Sequence, residues 1–467
     1  MSMTYNKIIF FVLSTFCLSL AITSKMLSLG TSVESFYSFS SVLSFLFYCF
    51  VCLGLYQLYT SQVLVFSWML IYLTSAVVAS VIIDVRPGFY LFEVAEYTTP
   101  SMTTVSLFVM VTVSLFFMMS TYSYLSDISK SKVSNQIHLN FEVLMIATLL
   151  ATISFVTIVM YIDKPAFAMG MSKVVYSANV LNPVVDKLLR NAMVFVPAVG
   201  ALACYNNRHI SRLCIFILIL YGVSLVWIGH KFGLILYLVY FSIFYYATKA
   251  NLKDVRKTIY RLLVALVLLI SLVLVSVIVA FNIDFLGALD YLFNRIAQQS
   301  QVWFTMQKLP EFNHWHLKEF VNELYTFGKI SLEDELHSKV GIYKVMSLTM
   351  SELDYWTRFE NNQNIAFGFY PLITYYFDFS GALVLNAFLF CIYGALVWLL
   401  LFFVSNGYYF CSIFCTRIVL MMHAVLIQGD LFRIVSLDNV FIFIIMLCLF
   451  VFQYRARNMR HSIENDK

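Results

Sequence analysis

The sequence predicts an all-α fold, a polytopic membrane helix bundle of about 12 transmembrane helices with one large helical loop between helices 9 and 10. Three observations predict it. Of 467 residues, 61% are hydrophobic and only 12% are charged, and the mean hydropathy of +0.83 lies far above that of a soluble domain. Apolar runs of spanning length recur along the chain. One long polar interruption, residues 285–371, separates the last three runs from the rest.

The runs are Ile8 to Ser24, Phe36 to Tyr59, Val63 to Ile83, Val105 to Leu125, Phe141 to Ile162, Val184 to Tyr205, Leu213 to Ile228, Gly233 to Ala247, Leu262 to Ile283, Leu383 to Val404, Cys411 to Ile427 and Val440 to Tyr454. Each is long enough, or nearly so, to cross roughly 30 Å of hydrocarbon. The first has no small-residue cleavage site and reads as a retained helix. Basic segments fix the orientation: Lys130 and Lys132, Arg208 and Arg212, Lys249 to Arg261, and Arg455 to Arg460 fall on one side, which must be the cytoplasm. Both termini then join them, and the interruption lies on the opposite face. The chain forms a single membrane domain, 1–467, with loop 285–371 inside it; no tandem repeat or separate soluble domain is visible.

The loop reads as helical. Ser331 and Asp334, and Ser351 and Asp354, have capping-box spacing, and Phe312, Trp315, Phe320, Leu324 and Phe327 approach a helical period. Two or three short helices are expected to fold over the bundle mouth.

The net charge of +5 carries no nucleic-acid signal, because topology alone concentrates Lys and Arg in cytoplasmic loops. All nine cysteines lie in or beside apolar runs. No disulfide framework or zinc site is expected, and Cys411 and Cys415 read as core. There is no P-loop, GxGxxG, HExxH, GxSxG or EF-hand pattern, which weighs against ATP-driven transport, Rossmann-type nucleotide binding and serine hydrolysis.

Cations on the face opposite the cytoplasm are the informative departures, because topology depletes them there. Arg190, Lys231, Arg295, Arg358 and Arg433 sit in or near the outer ends of spans. Convergent guanidinium and ammonium groups suit a pyrophosphate, whose departing negative charge they stabilise. The competing reading pairs each with a carboxylate, Arg190 with Asp186 and Arg433 with Asp430. Lys231 lies between Gly229 and Gly233, where backbone can approach a ligand closely. Glu360 and Asp430 are candidate proton acceptors. His314 and His316 flank Trp315, but on a helix they would face different ways. His423 lies within a span, where a polar group is a functional candidate or a packed core residue; Arg417 of that span is expected to snorkel toward its cytoplasmic end.

GHKFGLILYLVYF (229–241) with NLKDVRKTIYR (251–261), RIAQQSQVWF (295–304) and NIAFGFYPLITYYFDFSGAL (364–383) together resemble the O-antigen polymerases of the Wzy type, which are similar to membrane glycosyltransferases of the GT-C type. The resemblance rests on the order and spacing of these patches. It departs from the pattern of paired arginine and glycine found in some polymerases: Arg190 to Gly200 and Arg358 to Gly368 are each one residue short.

The resemblance implies a glycosyltransferase of the bacterial inner membrane that moves a growing glycan from undecaprenyl pyrophosphate onto the non-reducing sugar of a new lipid-linked repeat unit. It implies no cofactor, metal or nucleotide. Partners would be the undecaprenyl-pyrophosphate-linked oligosaccharides, membrane lipid, and a chain-length regulator and flippase of the same pathway. Arg295, Lys231, Glu360 and Asp430 would be catalytic. Arg190, Lys231, Arg295, Arg358 and Arg433 would hold pyrophosphate, and Trp303, Trp315 and Trp356 would stack on sugars. The alternatives are an O-antigen ligase, whose loop would carry a histidine near its exit where TRFENNQN (357–364) has none, and a lipid-linked oligosaccharide flippase or other transporter.

Overall fold

The structure is a computed structural model that describes residues 34–58, 60–99, 103–128, 139–166, 169, 176, 179–230, 232–249, scattered positions between 257 and 278, 282–326, 340–360 and 367–465. It is 83% helical, and 7 of its described helices are long and apolar enough to cross a membrane. The fold is therefore an all-α membrane helix bundle. The expected span Ile8 to Ser24, most of Leu262 to Ile283, Lys231 and the Ser331–Asp334 cap lie outside the described residues.

Helices α1 (Glu34–Leu58), α2 (Thr60–Val65), α3 (Ser67–Val85) and α4 (Thr103–Ile128) open the chain. A short hairpin, β1 (Tyr90–Leu91) and β2 (Glu96–Tyr97), joins α3 to α4. Buried Asp84 ties three of these helices together: its carboxylate accepts from Ser41 Oγ at 2.7 Å, Thr104 N at 2.9 Å and Thr104 Oγ1 at 2.7 Å. A charge-assisted set of this kind satisfies a group that would otherwise be costly to bury.

Next come α5 (Phe141–Met160), α6 (Pro183–Asn191), α7 (Val196–Ala203), α8 (Arg208–Trp227) and α9 (Phe232–Lys249). Here the structure corrects the sequence reading, which took Val184 to Tyr205 as one span. The run is α6, a 3-10 turn over Ala192–Phe195, and then α7. Pro197 in the first turn of α7 has no N–H to continue a helix from above. Gly200 of α7 lies against the backbone of Ser242 in α9, leaving no room for a Cβ.

The interruption is helical and packed into the bundle. It contributes α10 (Phe285–Ala297), α11 (Gln301–Met306), α12 (Leu317–Thr326), α13 (Gly341–Thr349) and α14 (Glu352–Glu360). All six residues of α11 are buried, and Ser300 before it bonds the Ala76 carbonyl at 2.7 Å. Ser351 caps α14 as its spacing foretold, accepting from Asp354 N at 3.2 Å and donating to the Asp354 carboxylate at 2.6 Å. Buried Glu323 joins α12 to the start of α13 through Gly341 N at 2.9 Å and also accepts from Tyr376. Burial pushes its carboxyl above the usual carboxylate range, while those two donors pull it down. In FNHWH a 3-10 turn ends at Asn313 and the rest is not helical: His314 is extended, Trp315 bridges Phe377, and His316 N donates to Tyr376 O at 2.9 Å.

The last helices are α15 (Phe369–Ser405), α16 (Tyr409–Gln428) and α17 (Leu437–Asn465), with a 3-10 turn at Leu431–Val435. α15 is broken at Asp378, which has φ 50° and ψ −173°. That region is costly for any residue with a Cβ. Asp378 restarts the helix by accepting from Ser380 N at 2.7 Å and Gly381 N at 3.0 Å, and from Trp315 Nε1 at 2.6 Å. The first piece folds back on the second. Tyr370 Oη and Asn386 Oδ1 both bond Ser114 Oγ, at 2.6 and 2.9 Å, whereas a straight helix would hold residues so spaced about 24 Å apart. The expected boundary between loop and span is thus replaced by a helical turn-back whose first piece, up to Tyr376, is buried, while Asp378 at the reversal is half-buried and Phe379 and Ser380 are exposed.

Candidate functional site: a cavity lined by cations

An open cavity of about 550 Å³ lies between α6, α9, α16 and the 3-10 turn before α17. α6 supplies Lys187, Arg190 and Asn191; α16 supplies Arg417, Leu420, His423, Ala424, Ile427 and Gln428; the turn supplies Arg433. The α16 residues recur at three- and four-residue steps, so one helix face forms a wall. α6 begins at Pro183, capped by Asn182, which accepts from Val184 N at 2.9 Å. That start sets Lys187, Arg190 and Asn191 on a face opposite α16.

Four cations share this cavity. Arg190 pairs with Asp186 at 2.5 Å, and Arg433 with Asp430 at 2.9 Å. Asp186 also bonds buried His230 at 3.0 Å, so it is shared. Lys187 and Arg417 have no carboxylate partner among the described residues. Arg417 lines the cavity, with Nη1 3.4 Å from Asn191 Oδ1. Four like charges against two carboxylates leave a positive field in a partly enclosed space, which favours a compact polyanion.

Below the cations lies His423, fully buried. Its Nε2 is 2.6 Å from Tyr393 Oη, and its ring stacks on Tyr237, 5.4 Å between centroids. Its Nδ1 has no hydrogen-bond partner among the described residues.

The other predicted cations fall in a second cluster. Arg358 on α14 pairs with Glu93, which also accepts from Gln301. Glu93 is largely buried, and burial raises its carboxyl above the usual range against the opposing pull of Arg358, Gln301 and Arg295. Arg295 on α10 is exposed and bonds only neutral groups, Tyr291 Oη at 3.2 Å and Gln298 Oε1 at 3.3 Å. The two ends of the loop therefore meet over Glu93. Arg190 and Arg433 meet each other in the cavity.

Of the tryptophans, Trp315 and Trp356 are exposed. Trp303 is a core residue: its indole N–H bonds Thr103 O at 3.2 Å and Ser106 Oγ at 3.1 Å, and its ring meets Tyr370, so it presents no free face to a sugar. Glu360 is exposed at the end of α14, and Asp430 is half-buried beside Arg433. The sequence did not place Lys187 or Arg417 in this set. The available signal was the helical spacing of Arg417 with His423, Ala424 and Gln428.

The match to known proteins is partial. Residues 336–444 match a family model described as a family of unknown function (DUF6418), a stretch that holds Arg358, Arg417, His423, Asp430 and Arg433. No curated protein matches the chain. No solved structure matches it.

Proposed function

We propose that this protein is a membrane glycosyltransferase that polymerises lipid-linked oligosaccharide repeat units, an O-antigen polymerase of the Wzy type. The observation that carries the reading is the cavity in which Lys187, Arg190, Arg417 and Arg433 converge on a span face, with two carboxylates paired to them among the described residues. A pyrophosphate fits such a set, because guanidinium groups give paired donors and compensate charge on a leaving phosphate. In this reading the cavity binds the undecaprenyl pyrophosphate of the growing chain. Arg295, exposed and without a carboxylate partner among the described residues, offers a further phosphate contact at the loop. Trp315 and Trp356 present faces for sugars. The loop faces away from the cytoplasm of a bacterial inner membrane and both termini lie inside.

Cells that carry Arg295→Ala in place of the normal chain are expected to lose long-chain polysaccharide and to accumulate single-repeat lipid intermediates. Glycan length is read on gels with the variant at normal abundance. Long-chain polysaccharide at normal amounts would count against Arg295, and its persistence after deletion of the whole chain would sink the reading.

A further inference from the structure

From the buried carboxylate behind the cavity we infer that His230 is a positioning residue of the phosphate site, acting on Arg190 through Asp186. The inference rests on the proposed function and deepens it, by giving the segment GHKFG (229–233) a part in that site. α8 ends in a complete Schellman cap: Gly229 takes the left-handed conformation at φ 81°, its N–H bonds Val226 O at 3.0 Å, and the N–H of His230 bonds Leu225 O at 2.9 Å. A side chain at residue 229 would be strained by that φ and would also meet the Ala166 Cβ, so the cap needs glycine. The cap turns the next residue inward, and His230 is only 4% exposed. Its Nε2 lies 3.0 Å from Asp186 Oδ1 on α6. Asp186 is itself buried, and its other oxygen, Oδ2, holds Arg190 Nη2 one helical turn further on, at 2.5 Å. The Arg190 side chain is half exposed and lines the cavity, whereas Asp186 and His230 stand behind it.

An ionised carboxylate only accepts, so in either charge state of the ring the His230–Asp186 contact is Nε2–H donating to Oδ1. The carboxylate thus has a donor on each oxygen, and its plane is set. Arg190 gives it one amino group, which leaves the rest of the planar fork for phosphate oxygens. Without the imidazole N–H, Oδ1 loses a donor inside the protein, where such a loss is costly. Arg190, already bonded to the other oxygen, can supply the replacement with its second amino group. That two-bond clasp turns the fork away from the cavity. His230 therefore keeps Arg190 aimed at phosphate without touching the ligand.

The test measures binding of undecaprenyl pyrophosphate to the full chain in lipid nanodiscs, per folded protein. His230→Phe keeps a ring and removes the donor; it is expected to weaken binding about tenfold. His230→Gln restores an N–H near the same place and is expected to recover most of that loss. Arg190→Ala is expected to weaken binding about tenfold or more. Adding His230→Phe to Arg190→Ala is then expected to change nothing further, because the histidine acts only through that arginine. A histidine that merely supports the fold would weaken binding in both backgrounds alike. His230→Ala serves as the removal variant should His230→Phe not fold. Losses that multiply in the double variant, unchanged binding after removal of the donor, or no recovery with His230→Gln would each overturn the assignment. An unmodified protein that binds no undecaprenyl pyrophosphate overturns the proposed function, and the positioning role with it.

Discussion

Replacing Arg417 by alanine is expected to lower polymer formation by about 100-fold or more while leaving the protein as stable as before, or more so. The two halves have one cause. Arg417 is exposed in the middle of α16, an apolar helix of 20 residues that spans a membrane by length and composition. An arginine at such a depth costs about 2.5–3.5 kcal/mol on insertion scales. Its one hydrogen bond among the described residues, to Asn191 at 3.4 Å, is long and its acceptor is neutral, so little in the free protein offsets that cost. The charge is held for a ligand. Arg417→Ala removes the cost in the folded protein and the donor in the complex, so activity falls while the melting temperature in detergent stays or rises. Arg417→Lys restores charge without the paired donors and is expected to recover only part of the activity. A melting temperature that falls together with activity would mean that Arg417 is a structural residue.

Arg358→Met is expected to behave in the opposite way, destabilising the fold by about 3 kcal/mol near pH 8 and by much less near pH 5. Glu93 and Arg358 are mostly buried as a pair, with Gln301 as the other donor to the carboxylate. Burial already places the Glu93 carboxyl above its ordinary value with Arg358 present, and Arg358 is the largest influence holding it down. Without Arg358 the folded-state value rises further. A carboxyl whose folded value exceeds its unfolded value gives the folded state extra protons, so stability is retained at low pH and lost as pH rises from the ordinary carboxylate range. Thermal melts of Arg358→Met at the two pH values measure this, and Glu93→Gln in the same chain is expected to restore stability at pH 8 by removing the uncompensated charge. Equal destabilisation at both pH values would show that packing of the arginine stem matters and the charge does not.

Composition and run length made the membrane bundle legible, because hydrocarbon imposes a length and an apolar composition on whatever crosses it. The cap of α14 was legible too, since Ser351 and Asp354 carry it within one turn. What the sequence hid depends on distance in space. Val184 to Tyr205 reads as apolar throughout, yet a 3-10 turn and Pro197 divide it and set Lys187 and Arg190 toward α16. Trp303 looked like a surface aromatic because its neighbours in sequence are polar, but Gln301, Thr305 and the indole itself are buried against α4 and the hairpin. The break at Asp378 has no sequence signature, because FDFSG reads as the end of a loop or the middle of a helix with equal ease. Arg190 and Arg433 were legible as cations in the wrong place. That Arg417 completes their set, 227 residues beyond Arg190 in the chain, required the fold.

The turn-back at Asp378 also fixes how the roof of the bundle behaves. Trp315 donates its indole proton to the Asp378 carboxylate and His316 its amide proton to Tyr376 O, so two successive loop residues grip the two sides of the reversal. His316 stacks on Tyr375 with 4.4 Å between ring centroids, and Phe320 packs on Phe377. Lifting this part of the loop would strip a carboxylate and a carbonyl of their partners at a backbone position already in a disfavoured conformation. The segment therefore acts as a keystone: it moves only if the membrane helix beneath it re-forms.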